Sequence, residues 1–225
     1  MIASHDGDEP RTYREAITSS TKELWIKAID EEMKSMRSNH IWDLVDPLPY
    51  RKAIGNKCVL HVKRKAYDII ERYKACLLAK GHNQQEGIDY EETFSPVVRF
   101  AFIRLILAIV AHMDLKLHQM DVKTAFLNGE LEEEIYMEQP DGYIINDQER
   151  KVCKLKKSIY GLKQSSKQWY LRFHESVMTY GFSMTEKDHC AYVKRTEGNF
   201  VILSLYVDDI LLAGNNIEFF QTINE

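Results

Sequence analysis

Hydrophobic positions along the chain follow two periods. Across residues 12–36 they fall at Leu24, Trp25, Ala28, Ile29, Met33 and Met36, the three-to-four spacing of a helix. Residues 47–51 break that pattern. Residues 53–65 and 71–80 then alternate as two strands joined near Tyr67-Asp68. Residues 82–92 are polar and read as a loop. Ser95-Pro96 opens a helix reaching about Met113; its apolar residues run nearly all round it, so it is expected beneath a sheet. Residues 115–126 are strand-like, with Asp121 near the end. A helix follows Ser165, which stands in an N-cap position. It carries Trp169, Phe173, Val177 and Tyr180 on one side and Gly181 as its stop. Residues 185–199 form a connecting strand or loop. Residues 200–214 read as two short buried strands around Tyr206-Val207-Asp208-Asp209.

A length of 225 residues suits one domain or two small lobes with a real core. Hydrophobic content of 44% and charged content of 28% are ordinary for a globular protein. The net charge of −4 does not advertise a nucleic-acid binder, but its distribution does. Arg150, Lys151, Lys154, Lys156, Lys157, Lys163, Lys167 and Arg172 follow one another with no intervening Asp or Glu. So do Arg51, Lys52, Lys57, Lys63, Arg64 and Lys65. Acid-free basic stretches with aromatics between them suit a phosphate-lined groove, or else two solvated faces. Cys58, Cys76, Cys153 and Cys190 lack the spacing of a zinc site or a disulfide framework. Asp188-His189-Cys190 reads as a plain loop, and Glu130, Glu132, Glu133 and Glu134 as a solvated face. No secretory signal opens the chain, and no apolar run is long enough to span a bilayer, so an intracellular setting and no membrane partner are expected.

Two adjacent carboxylates inside so apolar a hairpin are costly to bury as charges. An ordinary Asp-Asp turn is one reading. The other is a site for hard divalent cations, which take carboxylate oxygen and sit beside phosphates. Asp121 on a strand beside that hairpin would make a third carboxylate. Three such groups at one point suit two metals roughly 3.5–4 Å apart and in-line phosphoryl transfer.

Several blocks in order resemble the reverse transcriptase of copia-type long-terminal-repeat retrotransposons. They include Glu71-Arg-Tyr-Lys-Ala75, Gln84-Gln-Glu-Gly-Ile-Asp-Tyr90 running on to Pro96, and Leu117-His-Gln-Met-Asp121 running on to Leu127. Ala79-Lys-Gly81, Tyr136-Met-Glu-Gln-Pro140, Ser158-Ile-Tyr-Gly-Leu-Lys-Gln-Ser165 and Tyr206-Val-Asp-Asp209 complete the set. The resemblance implies an α+β fold, a right-hand polymerase palm of antiparallel sheet backed by helices, with a partial fingers subdomain. It divides the chain into a disordered leader at 1–10 and a reverse transcriptase domain at 11–215. Within that domain lie a helix and lead-in at 11–50, a fingers hairpin at 51–96 and a palm with fingers insertions at 97–215. Residues 216–225 would be an end cut short before the thumb.

The same resemblance implies RNA-directed DNA polymerase activity on a primed RNA or DNA template with dNTPs, inside a Pol polyprotein. Two Mg²⁺, with Mn²⁺ as substitute, would be held by Asp121, Asp208, Asp209 and the Val122 carbonyl. Lys63, Arg64, Lys74, Lys80, Phe126 and Gly161 would meet the dNTP, Phe126 beneath its sugar. Tyr160, Lys163, Gln164, Ser165, Tyr206 and Val207 would meet template and primer. Cys58 and Cys76 stand where the family usually has Trp and Arg. They favour the alternative of an inactive nucleic-acid-binding remnant, or a partner interfering with intact polymerases.

Overall fold

A computed structural model describes residues 9–216 and 220. Most of the expected leader and of the expected cut-short end lies outside the described residues. In chain order the elements are α1 (Tyr13–Thr18), α2 (Lys22–Ser38), β1 (Trp42–Val45), β2 (Asn56–Arg64), β3 (Ile70–Ala79), α3 (Phe100–Met113) and β4 (Lys116–Asp121). They continue with β5 (Glu130–Met137), β6 (Val152–Lys157), α4 (Ser165–Thr179), β7 (Ser183–Met184), β8 (Ala191–Thr196), β9 (Asn199–Tyr206) and β10 (Asp209–Gly214). The strands make antiparallel sheets ordered β1-β6-β5, β2-β3 and β4-β10-β9-β8-β7. The chain is thus a mixed α and β fold, dividing into one unit of residues 1–93 and 130–165 and a second of 94–129 and 166–225.

In the first unit the expected long helix is two. Ser19 ends α1 by sending both its N–H and its hydroxyl to the Ala16 carbonyl, at 3.3 and 2.8 Å. α2 buries Trp25, Ala28, Ile29, Met33 and Met36 as its spacing requires, whereas Leu24, one position off that stripe, is exposed. Trp25 meets the edge of Tyr73 at 4.6 Å. The β2–β3 hairpin buries Leu60, Val62, Ala75, Leu77 and Ala79, and its register sets Lys63 opposite Arg72 and His61 opposite Lys74. A two-stranded sheet has two open edges. Carboxylates close both: Val62 N–H donates to Glu9 at 2.6 Å, and Leu77 N–H to Glu32 at 3.0 Å.

Burial raises the pKa of Glu32 from its ordinary value, against the opposing pull of the Leu77 N–H, Lys74 and the Cys76 thiol. A carboxyl whose folded pKa is raised favours folding while protonated and loses that contribution as pH climbs through the folded value. Glutamine keeps an acceptor for Leu77 without the charge. Glu32→Gln is therefore expected to melt a few degrees above the native chain at pH 7 and level with it near pH 4, by thermal unfolding at the two pH values.

In the second unit α4 lays Trp169, Phe173 and Val177 against Val201, Leu203, Leu205, Ile210 and Leu212 of the five-stranded sheet. Gly181, at φ +82°, turns the chain out of α4, with its N–H on Met178 and that of Phe182 on Val177. Tyr180, expected in that core, is exposed because the helix has already ended. α3 corrects a larger expectation: it is not buried beneath the sheet. Only Ile106 is fully buried, Phe102 and Ile103 pack on the core, and Phe100, Leu105, Leu107 and Met113 are exposed. Among the described residues no helix is long and apolar enough to cross a membrane.

Candidate active site

The Tyr206–Asp209 turn is built by its flanking strands. Tyr206 closes β9 and pairs with Asp209, which opens β10, so Val207 and Asp208 are the two residues of a tight loop. β10 pairs on its other side with β4, and the register sets Asp121 directly opposite Asp209. Opposed residues of antiparallel strands have Cα atoms about 4.5–5.5 Å apart. Val122 N–H donates to the Asp208 carbonyl at 2.9 Å, extending the pairing past the strand end. The fold therefore sets the backbones of Asp121, Asp208 and Asp209 side by side, with Asp121 exposed and the other two partly so. Asp209 accepts from the Gln119 amide at 3.2 Å.

Both turns that present these acids hold a β-branched residue in left-handed backbone: Val207 at φ +59° and Thr124 at φ +57°. Such a conformation costs on the order of 1–3 kcal/mol and persists only where neighbours hold it. Trp169 is one such neighbour, donating its indole N–H to the Val207 carbonyl at 2.7 Å. Phe126 and Tyr206, both partly buried, pack against the same core as Trp169.

Carboxylate oxygen is the right donor for Mg²⁺ or Mn²⁺. Among the described residues, however, no three His, Cys, Asp or Glu side chains are gathered into a metal-holding group. The fit lies in the donor type and the backbone juxtaposition.

The remaining expected contacts belong to the first unit. Lys63 and Lys74 are exposed on the outer face of the β2–β3 hairpin, where Arg72 lies opposite Lys63. Arg64 turns to Asp68, at 3.4 Å. The Lys80 side chain lies against Gly55. Gly161, at φ +90°, touches the backbone at Ala79, and the Tyr160 carbonyl accepts from Ala79 N–H at 2.8 Å. Lys163 reaches Tyr90, 2.9 Å from its hydroxyl and 4.6 Å from its ring centre.

Gln164 is wholly buried. It accepts from the Gln84 amide at 3.0 Å and donates to the Asp89 carbonyl at 2.8 Å, while the Gln84 carbonyl takes Lys163 N–H at 2.8 Å. Ser165 is also buried and, rather than capping α4, donates to the Leu162 carbonyl at 2.8 Å. Burial, before any other factor, pushes the Cys58 thiol up to about 11 and the Cys76 thiol up to about 12, so both are neutral and unreactive at pH 7.

Residues 39–225 match the family described as reverse transcriptase (RNA-dependent DNA polymerase). The chain is 44% identical to the retrovirus-related Pol polyprotein from transposon TNT 1-94 of Nicotiana tabacum, over 94% of this chain and 16% of that protein. It is 40% and 39% identical to those from transposons RE1 and RE2 of Arabidopsis thaliana, over 92% of this chain and 14% of each relative. The chain belongs to the reverse transcriptase family, and the resemblance to copia-type members holds. It spans about a sixth or less of the length of these relatives.

Proposed function

We propose that this chain is the fingers and palm portion of an RNA-directed DNA polymerase within a retrotransposon Pol polyprotein. It would extend a primer on an RNA or DNA template inside the cell. The carrying observation is the register that sets Asp121 opposite Asp209, with Asp208 tied to Val122, in a chain of this family. Asp121, Asp208, Asp209 and the Val122 carbonyl would hold two divalent cations, which supply activation of the primer hydroxyl and neutralisation of phosphate charge. The chain's own residues position the reactants. Lys63 and Lys74, with Arg72, offer cations to the triphosphate, as basic clamps do on transferring phosphoryl groups. Lys80 and Arg64 extend that charge. Phe126 lies under the sugar and selects against a 2′-hydroxyl. Tyr160, Gly161 and Lys163 form the turn that meets the template base, Gln164 and Ser165 hold that turn from within, and Tyr206 and Val207 meet the primer.

The test is primer extension on a primed RNA template by this chain fused to the segment that follows the matched region in the tobacco relative. Expected are template-dependent incorporation of dNTPs, loss on chelation of divalent cations, and entry of ribonucleotides in Phe126→Ala. A folded fusion that binds primed template yet adds no nucleotide under any divalent cation overturns the polymerase reading.

A further inference from the structure

We propose that Trp169 is a positioning residue for the Asp208 carboxylate, an inference that rests on the polymerase reading above. Two peptide groups border the Asp208 Cα. The one before it carries the Val207 carbonyl, which accepts the Trp169 indole N–H at 2.7 Å. The one after it carries the Asp208 carbonyl, which accepts Val122 N–H at 2.9 Å. Fixing both planes fixes both backbone dihedrals of Asp208, and with them the direction in which its Cα–Cβ bond points.

The first tie has work that the second does not. Val207 is β-branched and sits at φ +59°, a conformation that such a side chain leaves readily unless something holds it. Trp169 is 6% exposed and seated in the core between α4 and the sheet, with Phe173 at 5.6 Å. The indole is therefore a rigid post, and its N–H is the one polar atom that a phenylalanine would lack. Periodicity alone marks Trp169 as packing. Its hydrogen bond adds a second role: the core holds the loop that presents the acid.

The experiment measures Mn²⁺ binding to the full 225-residue chain by water-proton relaxation, with circular dichroism as the check on folding. Losing a neutral hydrogen bond should raise the Mn²⁺ midpoint about fivefold in Trp169→Phe. A second variant carries β-(3-benzothienyl)alanine at position 169. It keeps the ring volume and loses only the donor, so it should show the same shift without a cavity. Glycine adopts φ +59° without strain. In a Val207→Gly background the Trp169→Phe shift should therefore shrink to within about twofold, a coupling that lost core packing alone would not produce.

An unchanged Mn²⁺ midpoint in the benzothienyl variant, or an equal shift in the native and the Val207→Gly backgrounds, overturns the positioning role. Asp121→Asn and Asp208→Asn separate the two ideas. If they raise the midpoint while the position 169 variants do not, only this inference falls. If neither moves it, the metal-site reading itself falls.

Discussion

Alanine at Gly161 is expected to destabilise the chain by at least about 3 kcal/mol. Gly161 sits at φ +90°, and a Cβ placed there would lie 2.2 Å from the Ala79 carbonyl oxygen. The approach is mutual, since a Cβ on Gly81 would lie 2.0 Å from the Gly161 oxygen. Backbone stands on backbone at this junction, with Ala79 N–H donating to Tyr160, so no flexible side chain can yield. Gly198 is the control. It has a similar φ of +77° but no atom within 4 Å of its would-be Cβ. Gly198→Ala should cost only about 1 kcal/mol, the backbone part alone. Urea unfolding of the two variants reads the difference. Equal losses would show that the close approach at Gly161 adds nothing.

That junction explains why part of the site was hard to read. Gln84 and Gln164 look like polar loop residues in the sequence. Their amides instead satisfy one another inside the first unit, and only the folded chain reveals which polar side chains are partners. The hairpin around Asp208 was legible, because its two strands are neighbours in sequence and their alternation survives folding. The strand-like run around Asp121 marked it as a companion, but the register could not be read. A slip of one residue between β4 and β10 would turn Asp121 to the other face, and alternation alone does not say which slip occurs.

A linear window cannot see what lies across a strand or which helix covers a sheet. The acid-free basic run meets acids on the facing strands, Lys154 on Glu134 and Lys156 on Asp43. These exposed pairs contribute little stability, yet they soften the positive face that the sequence implied. α3 is apolar nearly all round, a pattern that reads as burial, but α4 supplies the fully buried helix residues of the sheet's core cluster, with Phe102 and Ile103 of α3 only partly buried against it. Trp169 fits its predicted place, and the same fit hid the indole N–H that reaches Val207.

Asp208→Asn should lower the primer-extension rate of the fused chain at least about a thousandfold while leaving its stability within about 0.5 kcal/mol. Cation-borne charge stabilisation in phosphoryl transfer is worth several kcal/mol, and each 1.4 kcal/mol is about a factor of ten. Asparagine keeps the size of the side chain and the carbonyl that Val122 holds, so the turn keeps its shape. What is lost is one negative oxygen on a residue whose backbone lies beside those of Asp121 and Asp209. Asp188 provides the opposite case. It is 6% exposed, accepts from Arg99 N–H at 3.2 Å and from Cys190 N–H at 3.0 Å, and faces the Arg99 guanidinium at 3.7 Å. Asp188→Asn should cost about 1–3 kcal/mol of stability and leave the primer-extension rate of the folded, fused chain within a few-fold. The two aspartates thus predict a crossed pattern, one variant stable and inert, the other weakened and active. Retention of more than about a tenth of the native rate by a folded Asp208→Asn chain would remove that carboxylate from the reaction.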